Sequence, residues 1–394
     1  MFRFLLCSFS FVLLYPTAID LYLVGLPQIA ADLSATESQL HTAFSIYLGG
    51  MASTMLVAGK IADQIGRKPV AMVGGLIFII ASLLAGNTEQ INAFLVARFF
   101  QGVGAGACYV AAFAILRDAL NDDVRAKVLS MLNGIICIIP VIAPVVGHMI
   151  MIYSPWRTLF TVMAAIGLIV LIMATFVLRE TLDKSSVSTA QGNTSESFLN
   201  GYFIKRLLIT SLGITIILSY VNVSPMVIMG MLECDRETYA SIMAFTALTS
   251  MVASFVTPLA LNYFKQKTLM VFGQLLLLGS ALGLVCCYQL NLEASYYIAS
   301  FAMLCIAFSL GFGVTMSQAL APFSKRAAVA SSLLCVSHVT FSAAYIWLMG
   351  MLNVSALNIL IFILILGSSI SMFLLLLEKA NTTATHNEKS SVSS

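Results

Sequence analysis

An all-α membrane protein of twelve transmembrane helices is the fold class predicted by three features of this 394-residue sequence. Hydrophobic residues make up 60% of it and charged residues 9%, and the mean hydropathy is +0.97. No water-soluble domain of this length tolerates such a composition. Apolar runs approaching the roughly 20 residues needed to cross a bilayer recur along the whole chain, separated by short polar interruptions. The runs are continuously apolar and lack the alternating ten-residue pattern of barrel strands, so helices are expected.

The spans are expected at 4–26, 40–62, 70–88, 91–115, 127–150, 156–179, 205–230, 239–262, 268–289, 294–318, 328–350 and 355–377. The first begins after Arg3 like a secretion signal. No small-residue cleavage site closes it, however, and the apolar run continues past Asp20, so it is retained. With the amino terminus inside, the basic residues collect on the cytoplasmic side, among them Lys60, Arg67, Lys68, Arg117, Arg179, Lys205 and Lys267, leaving only Arg157 and Arg236 outside. Both termini are therefore expected in the cytoplasm. The net charge of +3 reports this topology and gives no reason to expect nucleic acid.

Residues 179–206, rich in Ser and Thr, form the longest hydrophilic interruption and read as a flexible linker between two six-span halves. The expected organisation is a bundle at 1–182, a cytoplasmic linker at 183–204, a second bundle at 205–378 and a disordered tail at 379–394. Of eight cysteines, seven fall inside spans and only Cys234 lies in an outer loop, so no external disulfide or metal-ligand spacing is expected. No His/Asp cluster or nucleophile motif suggests an enzyme, and the linker is too short to fold as a soluble signalling domain.

Two charges are expected well inside the membrane. Asp20 lies six residues before the end of the first span, about 9 Å from its outer end at 1.5 Å per residue, and Arg98 in span 4 lies at a similar depth. One acid and one base at matched depth can neutralise each other's burial cost as a structural ion pair. Alternatively, Asp20 is a titratable carboxylate in a water-accessible cavity, taking a proton when open outward and releasing it inside. In span 4, Gly102 and Gly106 stand four apart and leave one helix face nearly bare for a close neighbour, while Arg98 and Gln101 share a face. In span 5, Pro140 and Pro144 each remove a backbone hydrogen bond and should bend the helix. Tyr22, Tyr47, Gln101, Tyr109, Asn222, Gln318 and His338 are polar or amphipathic residues within spans; each is a candidate cavity residue, with interhelical hydrogen bonding as the plainer role. His338 stands near mid-span, where it could carry a proton.

The loop between spans 2 and 3, "GKIADQIGRKP", resembles the Gly-x-x-x-Asp-Arg-x-Gly-Arg-Lys pattern of the major facilitator superfamily through Gly59, Asp63, Gly66, Arg67 and Lys68, with Gln64 in place of the first basic residue. Gly59 would let helices approach and Gly66 would allow a tight reversal. The resemblance implies that Asp63 faces the start of span 11 near Ala327, and that Arg67 latches onto Asp118 at the end of span 4. "ARFFQGVGAG" resembles the family's Arg-x-x-Gln-Gly-x-Gly motif. "LNGIICIIPVIAPVVGHMI" resembles its antiporter motif through Asn133, Gly134, Pro144 and Gly147, with Ala143 and His148 as departures. "YPTAIDLYLVGLPQIAADL" is similar to the first span of twelve-span drug/proton antiporters of the bicyclomycin and chloramphenicol resistance group. These likenesses cover spans 1 to 6.

The resemblance implies the major facilitator fold and antibiotic resistance by proton-coupled multidrug efflux. The partners expected are a small drug, a proton and the lipid bilayer, acting on a monomer with the proton gradient as energy source and no cofactor. An exporter of a sugar or other metabolite with the same fold is the alternative.

Overall fold

The computed structural model describes the chain except residues 1, 121, 182–199, 324–326 and 392–394; side chains are further not described at 2, 117, 122–127, 129–137, 327–328 and 378–391. The first span is not one helix. Helix α1 (Phe2–Asp20) stops at the acidic residue, a 3₁₀ turn covers Leu23–Gly25, and a short helix α2 (Leu26–Asp32) resumes the crossing. Pro27 in the first turn of α2 explains the restart, because proline lacks the N–H and its ring clashes with the carbonyl four residues back. The apolar crossing therefore extends over Arg3–Asp32 and not to residue 26, which puts Asp20 deeper than the sequence suggests.

The remaining helices are α3 (Glu37–Ile65), α4 (Arg67–Asn87), α5 (Ile91–Ala119), α6 (Asp122–Tyr153), α7 (Arg157–Ile172), α8 (Gly201–Pro225), α9 (Arg236–Ala260), α10 (Gln266–Gln289), α11 (Ala294–Leu320), α12 (Ala327–Met351) and α13 (Ala356–Ser391). Short π-helical turns follow α7 and α8 at Met173–Val177 and Met226–Met231. Among the described residues, eleven of the expected crossings are helical, long and apolar enough to span a membrane. The remaining one falls in α6, where Ile138–Tyr153 is the apolar part described. Helix α13 runs on past the apolar stretch into the polar tail, for which the sequence predicts disorder.

The chain forms two compact units. The first joins the amino-terminal six spans to Val221–Ala247 and Val339–Ala356, and the second takes Glu196–Tyr220, Leu248–His338 and Leu357–Ser394. Contacts within the first unit account for the added pieces. The Arg236 guanidinium donates to the Met151 carbonyl at 3.4 Å, and Ser38 Oγ donates to the Gly350 carbonyl at 2.6 Å.

Close approach in the first unit is set by glycines on two faces of α5. A Cβ on Gly102 would run into the backbone carbonyl of Tyr47, and one on Gly106 would lie 2.8 Å from that of Met51, so α3 packs backbone to backbone on this face. On another face, a Cβ on Gly104 would lie 2.6 Å from the Gly74 carbonyl, which fixes α4. Gly59, expected to serve the same purpose, has only Val110 Cγ1 at 3.9 Å; on α3 the close contact belongs to Gly50 against Phe99.

The far end of this unit is tied by Asp32, which accepts from Trp156 Nε1 at 2.8 Å and pairs with Arg157 at 3.1 Å. In the second unit, Phe203, Ala319, Phe323, Ala330 and Leu334 form one buried cluster, and Ile209, Met270, Val314 and Leu375 another.

Gly102→Ala should lower the yield and thermal stability of the folded protein in detergent by more than the roughly 1–3 kcal/mol usual for overpacking, because the opposing group is backbone and cannot rotate away. Gly49→Ala, with no atom within 4 Å of its added Cβ, should be neutral or stabilising by up to about 1 kcal/mol in the same melts.

Candidate functional site

The break in the first span exposes backbone carbonyls at the end of α1, and a buried cation occupies that position. Arg98 is fully buried in α5. Its guanidinium donates to the Ala18 carbonyl at 3.1 Å, to Gln101 Oε1 at 2.5 Å and, at the limit of hydrogen bonding, to the Ala43 carbonyl at 3.5 Å. It lies 4.2 Å from the ring centre of Tyr22 and 4.5 Å from that of Tyr47. Two aromatic faces and the negative end of a helix thus compensate one positive charge without a carboxylate. Gln101 is itself held by the Ser82 hydroxyl at 2.8 Å and Met163 sulfur at 3.4 Å, and Tyr47 donates to the Tyr15 carbonyl at 3.1 Å.

Asp20 does not pair with Arg98, contrary to the ion pair that matched depth suggests. The reason is geometric: the helix ends at Asp20, and the guanidinium takes the Ala18 carbonyl two residues before it. Asp20 is 3% exposed, and among the described residues none gives it a hydrogen bond or ion pair. The hydroxyls of Tyr22, Tyr47 and Tyr239 lie within its electrostatic reach. Beside it, α6 meets the unwound backbone: a Cβ on Gly147 would lie 2.8 Å from the Leu21 carbonyl. Pro140 and Pro144 lie within α6. The side chains of Asn133 and Gly134 lie outside those described.

The structure brings the 59–69 loop and the end of span 4 together. Arg67, 3% exposed, pairs with Asp63 at 2.8 Å and with Asp118 at 2.8 Å, and also donates to the Ala62 carbonyl. Lys68 Nζ donates to the Thr175 carbonyl at 2.7 Å. Asp63 is half exposed and on Arg67; the residues just before Ala327, its implied partner, lie outside the described set.

Sequence reasoning missed Glu180. Its carboxylate accepts the N–H groups of Arg67 at 2.9 Å and Lys68 at 3.2 Å, capping the positive start of α4 from a distant part of the chain. Gly66 between them has φ +111°, and a Cβ there would clash with that carboxylate, so both backbone and space demand glycine. The signal available was the acidic residue of "RETL".

The other expected cavity residues separate. Tyr22, Tyr47 and Gln101 are taken up by Arg98. Tyr109 is half-buried with its ring edge-on to Tyr15, 6.1 Å between centres, and close to Phe113 at 4.7 Å. Asn222 is buried against His41 at 2.8 Å. In the second unit Gln318 bonds Gln266 at 2.6 Å, and His338 Nε2 lies 3.0 Å from Thr210 Oγ1 with Phe312 edge-on. Among the described residues, no group of three or more His, Cys, Asp or Glu is placed to hold a metal ion.

A family model for the Major Facilitator Superfamily matches residues 8–347. The chain is 59% identical over 389 residues to "Multidrug resistance protein MdtL" of Vibrio parahaemolyticus serotype O3:K6, covering 98% of each chain. It is 57% identical over 378 residues to the protein of that name from Shewanella oneidensis, covering 95% of this chain and 96% of that one. It is 53% identical over 394 residues, the whole of both chains, to that of Klebsiella pneumoniae strain 342. Among solved structures, a D-xylose-proton symporter superposes with a TM-score of 0.79 at 13% identity, over 95% of this chain and 96% of that one, a likeness that shows the fold alone.

Arg98→Ala would strip the Ala18 carbonyl and Gln101 of a buried donor, each loss costing about 1–3 kcal/mol, and should sharply reduce folded yield on size-exclusion chromatography. Glu180→Ala should lower the melting temperature by removing a cap worth about 1 kcal/mol, while Glu180→Gln, which keeps one acceptor oxygen, should recover part of it.

Proposed function

The chain belongs to the major facilitator superfamily, and from that premise we propose that it is a proton-driven multidrug exporter, carrying small amphipathic drugs across the bacterial inner membrane by alternating access. The full-length relatives named for multidrug resistance support the drug export, and amphenicol-like molecules are the first candidates. The concentration of lysine and arginine on one set of loops supports cytoplasmic termini. The chain is expected to work as a monomer.

One observation carries the coupling: a buried carboxylate, Asp20, has no hydrogen-bond or ion-pair partner among the described residues at a helix break, while the neighbouring cation, Arg98, has its charge compensated elsewhere. A carboxylate so placed is strongly affected by the water that reaches it. In the cycle proposed, Asp20 takes a proton as drug leaves on the outer side and loses it inward as new drug enters. The contact of Gly147 with the Leu21 carbonyl gives the proline-bearing α6 a mechanical connection to that protonation. The latch of Arg67 with Asp63 and Asp118 is assigned to holding one of the two states.

Reconstituted protein challenged with amphenicols, quinolones, dyes and sugars should show substrate-induced proton movement with drugs. A response to sugars alone would favour a metabolite exporter. Asp20→Asn should insert normally yet lose gradient-driven efflux in everted vesicles; efflux at unchanged proton stoichiometry would exclude Asp20 as the coupling group.

A further inference from the structure

In the second half of the chain, acids and bases part company. Between Gly201 and Leu377 the acidic residues are Glu233, Asp235, Glu237 and Glu293, which collect at the α8–α9 and α10–α11 connections. Alternation of the crossings puts those connections on the membrane face opposite the α9–α10 turn, where Lys265 and Lys267 stand. The α3–α4 turn holds the corresponding place in the first six spans, and there each cation is taken up: Arg67 pairs with Asp63 and Asp118, and Lys68 donates to the Thr175 carbonyl. The side chains of Lys265 and Lys267 have no hydrogen bond or ion pair among the described residues.

Water alone satisfies an exposed lysine, so the charge gains meaning from what runs into it. Leu248, Val252, Phe255 and Leu259 are exposed along one face of α9, and the next residue at that spacing is Tyr263, 85% exposed in the turn itself. Phe264 beside it is 57% exposed. Backbone bonds hold both aromatics in place: the N–H groups of Tyr263 and Phe264 return to the Ala260 carbonyl at 3.1 and 2.9 Å. An apolar stripe thus ends in two exposed rings and, directly beyond them, two lysines. Rings so placed sit at the headgroup level of a bilayer, with acyl chains along the stripe and phosphates beside the lysines.

We propose that the α9–α10 turn is a docking surface for an anionic phospholipid, whose acyl chains lie on the stripe of Phe255, Leu259 and Tyr263 and whose phosphate is held by Lys265 and Lys267. A zwitterionic headgroup carries its own cation next to the phosphate, which the lysines repel; an anionic headgroup carries none. Charge complementarity therefore selects the headgroup, and the stripe selects a lipid over a free phosphate, which has nothing to lay along it. At this turn the membrane supplies the negative charge that Asp63 and Asp118 supply at the α3–α4 turn. Neither cargo nor the coupling at Asp20 enters, so the docking surface stands apart from the export reading.

Fluorescence quenching by lipids brominated in their acyl chains tests this on the full chain in phosphatidylcholine vesicles. Phe255→Trp places a reporter on the stripe, and the signal of the two native tryptophans, Trp156 and Trp347, is measured in the parent and subtracted. Brominated phosphatidylglycerol should bind beside the reporter about fivefold or more tightly than brominated phosphatidylcholine, since one lysine near an anionic headgroup is worth roughly fivefold. Lys265→Gln together with Lys267→Gln should bring that ratio to within about twofold of unity, and 1 M salt, where screening acts within about 3 Å, should do the same. Should the double variant not fold, Lys265→Gln alone decides, because Lys265 is exposed and its side chain touches no described partner. Three results overturn the proposal: no preference at the reporter, as when the chain's own linker or tail carboxylates answer the lysines; a preference that survives loss of the lysines; or the same preference at the native tryptophans, which marks a diffuse attraction with no docking surface.

Discussion

The first unit is organised around one guanidinium, that of Arg98, which pairs with no carboxylate among the described residues. A buried arginine near the middle of a membrane helix carries a penalty of about 2.5–3.5 kcal/mol on insertion scales, and the protein offsets it with backbone and aromatic groups. That solution demands several things at once. Helix α1 must end early enough to leave a carbonyl at Ala18, α3 must come close enough to bring Tyr47 over the cation, and Gln101 must be held in place by Ser82. The bare glycine face of α5 makes the second possible, since any side chain at Gly102 would push Tyr47 away. The helix break, the glycine face and the Gln101–Ser82 contact thus all serve a single constraint.

The Arg67 ion pairs at the 59–69 loop show the contrasting solution. Arg67 is nearly as buried as Arg98 but takes two carboxylates, the half-exposed Asp63 and the more buried Asp118. Its backbone N–H meets a third, Glu180, which answers the positive end of α4 and leaves no room for a side chain at Gly66. Acid–base pairs suit a contact at the rim of the membrane, where breaking them exposes charges to water at modest cost. The same pairs in the interior would be hard to break once made.

Much of this was legible in the residues. The spacing of Gly102 and Gly106 announced a close helix contact, and Arg98 with Gln101 announced a shared face. The likeness of the 59–69 loop to its family pattern brought Arg67 to Asp118. What hydropathy hides is the backbone: the run from Leu21 to Leu26 is as apolar as a helix, so the interruption after Asp20 left only Gly25 and Pro27 as signals. An ion pair inferred from depth failed for the same reason, because depth counts side chains and not freed carbonyls. Glu180 and His41 were obscured differently. Each acts on a part of the chain far from its own, and neither spacing nor periodicity reports such a partner.

That Asp20 has no partner among the described residues matters more than its burial. A carboxylate bound bidentately to arginine would stay ionised through every state of a transporter, since each pK unit of preference for the charged form is worth about 1.4 kcal/mol. Arg98 is committed to Ala18, Gln101 and two tyrosines and does not hold Asp20. In the coupling proposed, what varies at Asp20 comes from things that can change: water, cargo, and the backbone of the break itself. That backbone touches α6 at Gly147, so a movement of α6 alters the surroundings of the acid directly. On the proposed mechanism, fixing the cation elsewhere is what leaves the anion free to respond.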